Sequence, residues 1–156
     1  MNRPRTAAVA VPLLACLATL GTLTVWTATG NAGTPARLSA AEGRVLVPSA
    51  AEATAAFFTV RNTGTSDDVL TGVTGPAGHR TMLSRTVDIG RNARSMEMVR
   101  SATVPAGGSL RMTATTLDVM ISPPPRIAPG DRLTFTLHFR DGPPLTVRAK
   151  AIRPGR

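Results

Sequence analysis

From residue 44 onward the chain alternates apolar and polar side chains with a period of two. In RLTFTLHF (132–139) Leu133, Phe135, Leu137 and Phe139 share one face, while Arg132, Thr134, Thr136 and His138 share the other. That spacing predicts a half-buried strand. PLTVRAKAI (144–152) repeats it, with Leu145, Val147, Ala149 and Ala151 set against Thr146, Arg148 and Lys150. The RDGPP turn between the two runs makes them a hairpin. Further strands are expected in RVLV (44–47), TAAFFTVRN (54–62), DDVLTGVT (67–74), RTMLSRTVDI (80–89), ARSMEMV (93–99), SLRMT (109–113) and LDVMIS (117–122). Turn-forming segments such as NTGTSD, GPAGH, VPAGG and APGD separate them. After residue 35 no run keeps a helical period and no repeat of fixed length occurs. About seven to nine short strands with regular punctuation predict an all-β fold, an antiparallel sandwich of Greek-key type.

The N-terminus follows a different pattern. Arg3 and Arg5 precede a stretch from Ala7 to Trp26 with no charged residue, the layout of an export segment. Three outcomes are compatible with it: cleavage after small residues near ATGNAG (28–33), retention as a membrane anchor, or lipidation of Cys16 in LLAC (13–16). The apolar run continues ten residues beyond Cys16, which counts against lipidation because lipoproteins turn polar there. The expected organisation is a signal peptide or anchor over 1–33, a small-residue linker over 34–43, a β-sandwich over 44–152 and a tail over 153–156. Such a protein works at the extracytoplasmic face of the membrane, periplasmic or secreted.

Composition narrows the function. Cys16 is the only cysteine, so the domain has neither a disulfide nor a thiolate ligand, and any soft-metal chemistry must use methionine or histidine. A formal charge of +9 favours anionic membrane or cell-wall surfaces. With aromatics at 3% and no tyrosine, the stacking platforms of nucleic-acid binders are missing. There is no glycine-rich phosphate loop and no nucleophile-elbow serine, and His79 and His138 are the only imidazoles. His79 falls in a turn and His138 on the polar face of a strand. The chain is therefore expected not to be an enzyme.

Besides Met1 there are five methionines: Met82, Met96, Met98, Met112 and Met120. Singly, each would serve as core filler. Their strand phase groups them differently: Met82 lies with Ser84, Met96 with Met98, and Asp118 with Met120, opposite Leu117, Val119 and Ile121. If the aliphatic face points inward, these sulfurs point outward at the rim, where thioethers suit Cu(I). Asp118 would then be either a counter-charge for the cation or a surface carboxylate paired with an arginine.

The order of VRNTGTSDDVLTGVTGPAG (60–78), MLSRT (82–86), SMEM (95–98), VPAGGSL (104–110), LDVM (117–120) and IAPGDRLTFTLHF (127–139) resembles the periplasmic copper chaperone family PCu(A)C over residues 44–152. The resemblance implies a cupredoxin-like, immunoglobulin-like sandwich. It also implies a rim site for Cu(I), carried, often beside a second copper carrier, toward the copper centre of cytochrome oxidase. The family ligands resemble a His, a Met and a His-x-Met pair. Carried over, they fall on Ser84, on Met96 with Met98 as its neighbour, and on Asp118-Val119-Met120. Both histidines are thus replaced, and Arg85 stands at the family's acidic position. The resemblance then implies a methionine-rich site of Met96, Met120, Met98 and Met82 with Asp118 beside it, weaker for copper than in the family. The alternative is a degenerate, non-metal-binding module that interacts with the envelope.

Overall fold

The computed structural model describes residues 4–29, 33–49, 52–90 and 93–154. The chain divides into two compact units, Met1–Thr34 and Pro35–Arg156. The first is helix α1 (Pro4–Ala28). Within it Val11–Ala28 has a mean hydropathy of 1.6 and is long and apolar enough to cross a membrane. Four threonines of its apolar stretch bond their hydroxyls to helix carbonyls: Thr19 Oγ1 donates to Ala15 O and Thr22 Oγ1 to Ala18 O, both at 2.8 Å, and Thr24 and Thr27 donate to Leu20 O and Thr24 O. No polar group of these side chains then needs an outside partner, as an apolar surrounding requires.

Among the described residues the second unit holds twelve strands: β1 (Leu38–Ala40), β2 (Gly43–Leu46), β3 (Thr54–Phe57), β4 (Thr59–Asn62), β5 (Asp68–Thr74), β6 (Arg80–Gly90), β7 (Ala93–Val99), β8 (Ala102–Val104), β9 (Ser109–Arg111), β10 (Leu117–Ser122), β11 (Arg132–Phe139) and β12 (Leu145–Ile152). They form a small sheet, β1-β4-β9, and a large one, β7-β6-β10-β3-β2-β12-β11-β5-β8. The large sheet bends back on itself, so that β5 meets β6 and the Thr81 hydroxyl donates to Val73 O. The expected hairpin is present, with Phe135 opposite Val147 and Leu133 opposite Ala149.

Three expectations are corrected. The segment read as a linker contains β1, paired with β4 (Ser39 opposite Arg61), and the start of β2. The sandwich is not wholly antiparallel, because β12 runs parallel to β2. The single strand expected over 54–62 is two, β3 in the large sheet and β4 in the small one. Where the chain crosses between them, Phe57 and Phe58 are both buried, since each faces one layer of the same core.

That core is drawn from both sheets: Val60 of β4 packs in one cluster with Val45, Ala56, Val119, Ile121, Phe135 and Leu137 of the large sheet. The Phe58 ring meets Phe135 edge-on, with centroids 5.2 Å apart, a favoured aromatic geometry. Gly43 makes room for Phe58, because a Cβ there would stand 2.5 Å from the ring.

Candidate metal centre

β10 lies inside the large sheet, between β6 and β3, and is covered on both faces. Leu117, Val119 and Ile121 point into the core, as their alternation requires. The other face is the unusual one. Asp118, expected at an open rim, is only 3% exposed, and Met120 is part-buried. The register explains what lies beside them: Asp118 is opposite Ser84 of β6, and Ser84 is opposite Met98 of β7. Met120 is flanked by Met82 of β6 and Ala55 of β3.

Met96, Asp118 and Met120 together line a cavity of about 340 Å³. Its remaining wall is mainly apolar and includes Leu46, Val47, Pro48, Ala55 and Pro154. Met82 and Met98 line a second cavity, of about 320 Å³, at the seam where β5 meets β6. The methionines thus divide into two pairs. Met82, Met96 and Met98 are 42%, 53% and 50% exposed, while Met112 is buried in the core and takes no part.

Two oxygens are left unbonded here, one on Asp118 in the cavity wall and one on Ser84 opposite it in the register. Asp118 Oδ1 and Ser84 Oγ are buried and have no hydrogen-bond partner, although nearly all buried polar atoms in folded proteins do. Each such orphan costs about 1–3 kcal/mol. Burial pushes the Asp118 carboxyl above the ordinary carboxylate range. The surface pairing considered for Asp118 is absent: the ion pair found among the described residues joins Arg132 to Glu42. Ser84, which the sequence offered only as a missing histidine, is fully buried and lies against the acid.

Neither histidine takes part. His79 Nδ1 lies 2.6 Å from Pro123 O, and His138 Nε2 lies 2.7 Å from Thr74 Oγ1; neither lines the two methionine cavities. Among the described residues no group of three or more His, Cys, Asp or Glu is placed to hold a metal ion. A cation here would meet two thioethers and one carboxylate oxygen in a largely apolar recess. That donor set suits a soft, singly charged ion, which the carboxylate would neutralise. The wall contributed by residues 46–49 and 53–55 was not foreseen.

Comparison with known proteins agrees with this architecture. The profile of a family described as "Putative lipoprotein LpqE-like" matches residues 36–151. Among solved structures, the copper-bound PCuAC domain from PmoF2 superposes with a TM-score of 0.59 at 17% identity, covering 78% of this chain and 98% of that one. The solution structure of Cu(I)-DR1885 from Deinococcus radiodurans has a TM-score of 0.56 at 26% identity, covering 73% of this chain and 77% of the other. Apo-DR1885 has a TM-score of 0.56 at 28% identity, covering 79% and 84%. No curated protein sequence matches the chain.

Proposed function

The chain belongs to the LpqE-like family, and from this membership and the recess beneath Met96 and Met120 we propose that it is an exported, copper-chaperone-like carrier of Cu(I). It holds the ion rather than transforming a substrate. The observation that carries the reading is the meeting of Met96, Asp118 and Met120, from two strands, in one cavity. Similarity to copper-bound PCuAC domains supports it. Met96 and Met120 supply the soft donors and Asp118 the compensating charge. Met82 and Met98 lie next to the site as a second sulfur pair through which an ion is passed on to a second copper carrier or an oxidase subunit. The role in the cell is support of oxidase copper-site assembly, or copper homeostasis.

The family description and the apolar helix together indicate export or membrane anchoring. We favour a retained anchor or cleaved signal over lipidation, because Cys16 lies within a helix that stays apolar to Ala28.

A second reading rests on the orphaned oxygens. Serine hydroxyl and carboxylate are poor Cu(I) donors, so a site that has both in place of imidazoles binds weakly or not at all, leaving an envelope interaction module. Titration of the full chain with Cu(I) against a chelator of known affinity separates the two. One equivalent taken from the chelator supports the carrier, and no uptake leaves the interaction module.

A further inference from the structure

A third cavity, of about 500 Å³, opens where β6 of the large sheet passes β9 of the small one. Arg85 lines it from β6 and Arg111 from β9, and Thr103, Thr115 and Thr116 add hydroxyls, while the Thr86 hydroxyl donates to Ala114 O at 3.4 Å. No carboxylate lines it. Neither arginine has an ion-pair or hydrogen-bond partner among the described residues: the ion pair found there is Arg132–Glu42, and no side-chain hydrogen bond involves Arg85 or Arg111. Glu97 is opposite Arg85 in the β6–β7 register, yet it forms no ion pair with Arg85 and lies outside the cavity lining.

The threonine side of the cavity is held in place before any ligand arrives. Thr86 N donates to Thr116 O at 2.8 Å, tying the 113–116 turn to β6, and Thr116 N donates to Thr113 O at 3.2 Å. Thr113 Oγ1 contacts the hydroxyls of Thr115 and Thr116 at 3.2 and 2.7 Å. Two like charges brought to one recess by separate sheets repel each other. An oxyanion between them turns that repulsion into two charge-assisted, fork-shaped hydrogen-bond sets.

We infer that this cleft binds a phosphate oxyanion, either free or esterified in a lipid headgroup. The site is separate from the methionine cavities and shares no lining residue with them. Its size leaves room for the groups esterified to the phosphate. Where the apolar helix is retained as an anchor, it tethers the domain to a membrane that carries such headgroups.

The test uses the full chain in dodecyl maltoside micelles, which carry no phosphate, followed by amide chemical shifts in two arms. One arm adds inorganic phosphate; the other adds phosphatidylglycerol to the micelles. Saturable shifts at Thr103, Thr115 and Thr116 are expected in at least one arm: in the first for a free-ion site, in the second alone for a headgroup site. The double variant Arg85→Gln/Arg111→Gln should weaken the response at least about tenfold, as loss of two charged donors implies. Arg148→Gln/Lys150→Gln removes the same charge from β12 side chains that, like Arg85 and Arg111, are exposed but lie outside the cleft, and should leave it within about threefold, the scale of screened surface charge. Absence of shifts in both arms, or equal weakening by the two double variants, overturns the assignment.

Discussion

Two aspartates are buried in this sandwich, and their surroundings are opposite. Asp68, at the start of β5, is fully enclosed and accepts backbone N–H groups from Val69 at 2.6 Å, Asp141 at 3.2 Å and Gly142 at 2.8 Å. Nearby Asn62 is equally enclosed and equally satisfied, accepting from Arg37 N and Gly64 N and donating to Ser66 O and Val104 O. These residues fasten loops to the sandwich. Asp118 and Ser84 have the same burial and leave Oδ1 and Oγ without partners. Burial of a polar side chain therefore does not mark a functional position in this fold. What sets Asp118 and Ser84 apart is the unbonded oxygen, which costs stability and which, under the proposed carrier reading, the charge of a bound cation offsets.

The sharpest way to break this contrast is to remove each acid in turn. Asp68→Ala should destabilise the domain by about 3–5 kcal/mol, since three N–H donors lose a charged acceptor; urea unfolding reads the loss. Next in size, Met96→Leu with Met120→Leu should weaken Cu(I) at least about 100-fold by removing both soft donors. The same pair should leave thermal stability nearly unchanged, because Leu and Met have similar volume. A large fall in melting temperature would instead make these residues core.

Asp118→Asn should act opposite to Asp68→Ala and raise the melting temperature of the metal-free protein at neutral pH. The sign follows from the raised pKa of the folded state. The native protein holds this proton more tightly than the unfolded chain, so the group's contribution is full at acid pH and is lost as pH rises through the raised value. The advantage of the variant should therefore shrink on acidification, and a gap that widened toward acid would contradict it. Smallest of all, Met82→Leu or Met98→Leu alone should change Cu(I) affinity less than about threefold, since neither lines the cavity with Asp118.

Most of the strands are legible from alternation, because one face of β11 or β12 meets the core and the other meets solvent. β1 and β8 escape it, since three residues are too few to establish a period by themselves; β9, equally short, shows only through the longer SLRMT run that contains it. The break between β3 and β4 is hidden because Phe57 and Phe58 are both buried. Strand phase correctly put Asp118 and Met120 on the face away from Val119. It could not say what covers that face, since the cover comes from residues 46–49 and 53–55 and from Met96 of β7, far away in sequence. For the same reason Ser84 reads as a neutral surface residue in the sequence and as a buried orphan in the fold.

X-ray absorption at the copper edge of the Cu(I)-loaded protein tests the central claim most directly. Two sulfur scatterers in the first shell, both lost in the Met96→Leu/Met120→Leu protein, are predicted. A shell of oxygen and nitrogen alone, or one that the double substitution leaves intact, would contradict it.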